Sequence, residues 1–107
     1  MNIPDSRLEK ALHYLATSDQ SSAELKADVA RTEYVAKLRE AAAYKLSEGT
    51  VEERKAIAKL AATSQEAWEK HFLAIAAYEK VRAKRELESL VVDVYRTVSA
   101  NRRQGQI

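Results

Sequence analysis

The chain has 107 residues, 32% of them charged, with a net charge of +2, two glycines, one proline and no cysteine. The lack of cysteine excludes disulfides, thiolate metal sites and a cysteine nucleophile. Abundant alanine and charge with so few helix breakers predict an all-α fold, which at this length should be a single helical domain over residues 1–107. The N-terminus lacks a signal-peptide pattern and no apolar run approaches roughly 20 residues, so we expect a cytoplasmic protein without a membrane span.

A short first helix is predicted over residues 4–17. Ser6 and Glu9 have the spacing of a capping box, and the apolar residues that follow lie on one face. The polar run at residues 17–22 interrupts this pattern, because its short side chains compete for backbone hydrogen bonds. We therefore expect a loop between this helix and the next.

A second helix is predicted over residues 21–47, beginning with a capping box at Ser21 and Glu24. Its small and apolar residues recur at three- and four-residue steps as Ala23, Ala27, Ala30, Tyr34, Leu38, Ala41 and Ala42. Small residues permit close helix approach, so this stripe is predicted to pack against another helix.

The clearest boundary lies at residues 47–50. Gly49 can adopt the left-handed conformation that ends a helix, and Thr50 can occupy the N-cap position of the next helix. A turn this short predicts an antiparallel helical hairpin.

Beyond the turn we expect a helix over residues 51–62 and a very long C-terminal helix over residues 64–101, with a bend at Thr63-Ser64. One continuous helix is the alternative, because nothing in that segment forbids it. The residues after 101 lose the periodicity and are expected to fray.

The C-terminal helix has two wide apolar zones, residues 67–81 and 87–98, separated by a charged segment at residues 82–86. A lone hairpin buries about one stripe per helix, so the excess predicts a homo-oligomer. The expected interface consists of Leu87, Leu90, Val91, Val94, Tyr95 and Val98. The alternative is that the first helix folds back and covers this zone.

Positive charge gathers toward the C-terminus. From residue 80 onward the chain has seven basic and three acidic residues, whereas residues 1–79 have eleven and thirteen. The seven are Lys80, Arg82, Lys84, Arg85, Arg96, Arg102 and Arg103. Flexible cations neutralise phosphates without a defined pocket, so they form a candidate nucleic-acid interface, with Tyr78 and Tyr95 able to stack on bases if exposed. The alternative is a solvated helix face with intrahelical ion pairs and core tyrosines.

No catalytic constellation is visible in the sequence. Gly49 and Gly105 alone cannot form a glycine-rich phosphate loop, and His13 and His71 have no partners at metal-ligand spacing. We therefore expect neither an enzyme nor a bound metal or other cofactor.

The order of segments resembles that of phage recombination mediators of the UvsY type. The likeness consists of a helix ending in AAAYKLSEGT, a charged helix, and a longer helix with YEKVRAKRELESLVVDVYRTVSANRRQG. It covers residues 21–105 and implies an oligomeric helical protein that binds single-stranded DNA and helps load a recombinase onto strands coated by a single-strand-binding protein. The resemblance would make residues 87–98 the assembly surface, and its phosphate contacts would be Lys80, Arg82, Lys84, Arg85, Arg102 and Arg103.

Two functions follow as expectations. The first is a non-enzymatic accessory of phage-type recombination that binds single-stranded DNA and assists recombinase loading, in the host cytoplasm, with a recombinase or a single-strand-binding protein as partner. The second is a helical protein-protein interaction module, such as a small inhibitor or scaffold, whose arginines only keep the chain soluble.

Overall fold

The computed structural model describes residues 2–105, which form three α-helices and no strand. Helix α1 spans Asp5–Leu46, α2 spans Val51–Leu60 and α3 spans Ala62–Gly105. The long C-terminal helix packs on α1. The predicted all-α fold and helical hairpin are confirmed.

The loop predicted at residues 17–22 is wrong, because α1 runs unbroken through it. The hydroxyl groups of this run bond back to the preceding helical turn. Thr17 Oγ1 donates to the carbonyl oxygen of His13 (2.8 Å), and Ser21 Oγ donates to that of Ser18 (3.1 Å). These hydroxyl groups find hydrogen-bond acceptors within the helix, so they do not interrupt it. The two predicted N-terminal helices therefore form one helix.

The start of α1 also differs from the prediction. The carbonyl oxygen of Pro4 accepts from the backbone N–H groups of Arg7 (3.0 Å) and Leu8 (3.2 Å), so the helix is already formed at Ser6. Ser6 therefore lies inside the first turn, and it does not cap the helix.

The turn between α1 and α2 has the predicted chemistry. Gly49 has a φ of 120°, in the region that favours glycine. Thr50 caps α2, since its Oγ1 accepts from the backbone N–H of Glu53 (3.2 Å).

The break between α2 and α3 falls at Ala61, just before the predicted bend at Thr63-Ser64. The N–H of Ala61 bonds to the carbonyl oxygen of Ile57 (3.0 Å), and its own carbonyl accepts from the N–H of Gln65 (3.0 Å). With a ψ of 135°, Ala61 ends one helix and begins the next without a polar cap. The alternative of one continuous helix is wrong, and α3 then extends past its predicted end to Gly105.

The chain divides into two compact units. The terminal unit comprises residues up to 23 and from 79 onward, and the turn unit comprises residues 24–78. In each unit α1 and α3 are antiparallel, because higher residue numbers on α1 pair with lower numbers on α3. The pairs are Arg7–Glu88 and Ser18–Arg85 in the terminal unit, and Thr32–His71 and Glu40–Trp68 in the turn unit.

The buried seam between the long helices is thin and made mostly of small residues. On α3 its buried members recur at helical spacing as Ser64, Ala67, His71, Ala74, Glu88 and Val92. On α1 they are Ala11, Ser18 and Ala36. Among the described residues, serine is the largest side chain that is completely buried. The helices therefore approach closely but bury little bulk.

The apolar stripe that was predicted to pack against a helix instead faces solvent. Every one of its seven members is exposed, including Tyr34 at 64% and Leu38 at 50%. The face that packs carries Thr32, the fully buried Ala36 and Glu40. Within one chain this stripe therefore does not pack against another helix, because the more polar face of α1 takes that place.

Hydrogen bonding from α3 gives a physical reason for that choice. Trp68 Nε1 donates to Glu40 Oε2 (3.1 Å). His71 Nδ1 lies within hydrogen-bond distance, 3.0 Å, of Thr32 Oγ1. Two ring nitrogens on α3 therefore need hydrogen-bond partners near the seam, and the face with Thr32 and Glu40 supplies them.

Candidate nucleic-acid interface and assembly surface

Helix α3 distributes the seven predicted cations over two flanks of its packed face. At about 100° per residue, one flank has Arg82, Arg85, Arg96 and Arg103, and the other has Lys80, Lys84 and Arg102. The predicted set is therefore not one patch. The first flank does contain a row, because Arg85, Arg96 and Arg103 lie within about 20° of one another over roughly 27 Å of helix.

Arg85 holds α3 against α1. Its Nη1 donates to the carbonyl oxygen of Leu15 (2.9 Å) and to Ser18 Oγ (2.6 Å), and its Nη2 lies 3.3 Å from Asp19 Oδ1. The side chain is 24% exposed. The polar run that the sequence suggested was a loop is thus the acceptor site for this arginine.

Arg82 is paired within its own helix, as the alternative interpretation of the basic segment expected. Its Nη1 lies 3.1 Å from Glu79 Oε2 and its Nε lies 3.2 Å from Glu86 Oε1. On the opposite flank, Lys84 Nζ lies 4.3 Å from the ring centroid of Tyr14, a cation–π contact.

Three of the exposed predicted cations have no ion pair or side-chain hydrogen bond within residues 2–105: Lys80, Arg96 and Arg103. Arg102 is also exposed, but it donates to Asn2 Oδ1. The exposed cations of the first flank that have no such contact in the described chain are therefore Arg96 and Arg103.

The best-formed ion pair of the terminal unit involves residues that the sequence did not single out. Arg7 Nη1 donates to Glu88 Oε2 (2.6 Å) and Arg7 Nη2 to Glu88 Oε1 (2.9 Å), a bidentate arrangement. The hydrogen bond from Arg7 lowers the pKa of the Glu88 carboxyl and raises the pKa of the guanidinium. No local pattern signals this pair, because its members lie 81 positions apart.

Neither tyrosine near the basic set is fully exposed. The hydroxyl group of Tyr95 donates to Asp5 Oδ1 (2.9 Å), and this bond raises the pKa of Tyr95. Tyr78 is half-buried. Tyr95 therefore takes part in pairing the helices of the terminal unit.

The predicted assembly residues fall into two groups. Leu87 is 55% exposed and Leu90 58% exposed, whereas the others are half-buried: Val91, Val94, Tyr95 and Val98. The N-terminal part of α1 pairs with this stretch of α3 through Asp5 and Arg7. The apolar surface left open in the predicted zone consists mainly of Leu87 and Leu90.

The net charge of the chain belongs to the terminal unit. That unit has nine basic and seven acidic residues, whereas the turn unit has nine of each. Across residues 2–105 there is no cluster of three or more histidine or acidic side chains able to hold a metal ion. Within the same part of the chain, no helix combines the length and apolar character needed to cross a membrane.

A groove in the turn unit contains cations that the sequence interpretation missed. It has a volume of about 260 Å³, and its lining includes Arg31, Arg39 and Lys70 together with Glu66. Lys70 Nζ lies 3.5 Å from Glu66 Oε1. These cations come from two helices, so linear charge counting could not place them together.

No family model matches this sequence, and comparisons with curated proteins and with solved structures give no significant match. Function is therefore inferred from the contacts and charges described above.

Proposed function

We propose that this chain is a non-enzymatic, self-associating helical protein that binds single-stranded DNA as an accessory of phage-type recombination, where it assists recombinase loading. The observation that supports DNA binding is the row of Arg85, Arg96 and Arg103 in the unit that holds the net positive charge. The recombination role draws on the resemblance of residues 21–105 to mediators of the UvsY type.

The row suits a flexible polyanion better than a small ligand. Arg96 and Arg103 are exposed and unpaired within the described chain, so they can neutralise phosphates without first breaking an ion pair. Arg85 remains partly exposed while it anchors the two helices. Two or three phosphate contacts per subunit give weak binding, and self-association multiplies them along one strand.

The test is a fluorescence anisotropy titration of a labelled single-stranded oligonucleotide at several salt concentrations. Wild-type protein should bind at low salt and weaken as salt rises. Arg96→Glu/Arg103→Glu should weaken binding roughly tenfold or more and lower the salt dependence by about one per lost phosphate contact. The matched control is Lys55→Glu/Lys59→Glu, which makes the same change in net charge at exposed positions of α2.

Equal weakening by both double variants would mean that net charge alone, and not the arginine row, attracts the DNA. A wild-type protein that does not bind at low salt would remove DNA binding from the proposal. Binding that is insensitive to salt would remove its phosphate-neutralisation mechanism.

A protein-protein interaction module without nucleic-acid binding is the second candidate. It is favoured by the exposure of Leu87 and Leu90 and by the internal pairing of Arg82 with Glu79 and Glu86. This function is supported if the DNA titration is negative while light scattering shows self-association that Leu87→Glu/Leu90→Glu abolishes.

A further inference from the structure

The outer face of α1 in the turn unit is a row of exposed residues at alternating four- and three-residue steps. Its members are Glu24, Ala27, Arg31, Tyr34, Leu38, Ala41 and Lys45. A helix that packs along one partner helix contacts it through residues at this spacing. The charged members are one acid, Glu24, and two cations, and the large side chains are Tyr34 and Leu38.

The outer face of α3 in the same unit is also exposed and apolar. Phe72 is 58% exposed and Leu73 61% exposed, and the next helical turn continues with exposed Ala76 and Ala77. The turn before them presents Glu66, Glu69 and Lys70, all exposed. From its N-terminal end, this face therefore has charged residues with a net charge of −1, then two large apolar side chains, then two alanines.

The large apolar side chains of the two faces point away from each other, whereas Arg31 and Glu66, at the edges of the faces, both line the groove described above. At about 100° per residue, Tyr34 and Leu38 lie roughly opposite Ala36, which packs on α3. Leu73 lies roughly opposite His71, which packs on α1. One partner surface cannot cover both faces at once, and a soluble monomer rarely leaves apolar rows of this kind open.

The two faces are complementary to each other. The α1 row has two cations and one acid, whereas the α3 face has two acids and one cation, so their net charges are +1 and −1. The large side chains Tyr34 and Leu38 of the α1 row can pack against Ala76 and Ala77 of the α3 face. The existing pairs Arg31–Asp28 (3.3 Å) and Glu66–Lys70 (3.5 Å) are exposed intrahelical contacts, which hold weakly and are easily exchanged.

We propose that the occupant of each face is a second copy of this chain, with the outer face of α1 in one copy packed against the outer face of α3 in the next. The proposal rests on the self-association in the proposed function, but it uses turn-unit residues and not residues 87–98. Pairing of two different faces is heterologous, so each added copy leaves one α1 face and one α3 face free at the ends. Such assembly continues into a ring or a filament.

The test measures molar mass by light scattering on full-length chains that all carry Leu87→Glu/Leu90→Glu, which removes the contact assigned to the terminal unit. These chains should still assemble above the mass of a dimer. Adding Leu38→Arg or Leu73→Glu should reduce each protein to a 12.0 kDa monomer. All four positions are exposed, so circular dichroism should show unchanged helix content.

The decisive sample is a mixture of the Leu38→Arg and Leu73→Glu proteins. The first keeps an intact α3 face and the second keeps an intact α1 face, so together they should form a dimer of about 24 kDa, twice the 12.0 kDa chain, that grows no further. A mixture that stays monomeric would overturn the proposal. Dimers of the Leu73→Glu protein alone would also overturn it, because they would show α1 pairing with α1.

Failure here is separable from failure of the proposed function. DNA binding by wild-type protein together with a monomeric mixture would reject only the docking of α1 on α3. A mixed dimer from a protein that does not bind DNA would reject only the DNA-binding function. Loss of assembly on Leu87→Glu/Leu90→Glu alone would likewise reject the turn-unit surface and favour the terminal-unit surface.

Discussion

The terminal and turn units pair the same two helices with different chemistry. In the terminal unit, charged side chains cross between helices, with Arg7 on Glu88 and Arg85 on Ser18. In the turn unit, the hydrogen bonds between the helices involve the rings of Trp68 and His71. Both units bury alanine.

The difference explains which surface each unit leaves open. In the terminal unit, arginines bond α1 to α3. Other cations remain unpaired in the described part of that unit, because basic residues outnumber acidic ones there. The turn unit uses the polar face of α1 for pairing, so Tyr34 and Leu38 are turned outward. We therefore propose that the polyanion site lies in the terminal unit and that further copies dock on the turn unit.

The largest expected effect comes from filling the seam of the turn unit. Ala36→Leu places a bulky side chain at a fully buried position and should lower the free energy of unfolding by about 1–3 kcal/mol. Ala56→Leu, at an exposed position of α2 outside the proposed docking faces, should change it by less than about 0.5 kcal/mol. Urea denaturation measures both, and equal costs would show that Ala36 is not closely packed in solution.

A smaller effect is expected from the charged pairing of the terminal unit. Arg85→Ala removes hydrogen bonds to Leu15 and Ser18 and should lower the free energy of unfolding by roughly 1–2 kcal/mol. Arg96→Ala, at an exposed and unpaired position, should change it by less than about 0.5 kcal/mol. If thermal melting shows the same stability for both variants, the contacts of Arg85 do not hold the helices together in solution.

The smallest expected effect is a dependence of folding stability on pH that arises in the terminal unit. The hydrogen bond from Arg7 lowers the pKa of Glu88 in the folded state, so the unfolded chain binds the proton more readily. This contribution to stability is present above the ordinary glutamate pKa and is lost as pH falls through the lowered one. Glu88→Gln should therefore melt earlier near neutral pH and lose less stability on acidification.

Melting curves between about pH 7 and about pH 3 measure this difference. Glu86→Gln, on an exposed position of the same helix, is the matched control and should follow the wild-type profile. A Glu88→Gln profile parallel to that of wild type would show that the pair with Arg7 does not contribute to the acid response.

Local sequence was sufficient for the helical fold and for the turn at Gly49-Thr50. Few helix breakers and abundant alanine predict long helices, and a glycine followed by a capping threonine predicts a turn, since both effects act within a few residues. The same local rules misplaced the loop at residues 17–22. Its serine and threonine hydroxyls can bond within a helix as well as outside one.

For the candidate site, the sequence determined the excess of positive charge, whereas the tertiary structure decided which cations bond to other residues of the chain. The excess of cations after residue 80 follows from counting residues, but only packing shows that Arg85 is bound to α1 while Arg96 is not. Which face of α1 packs on α3 was likewise decided by the tertiary structure, because the ring nitrogens that bond with Thr32 and Glu40 belong to residues far away in the sequence. Periodicity records which residues share a face, but the pairing of faces depends on hydrogen-bond partners that lie far apart in the chain.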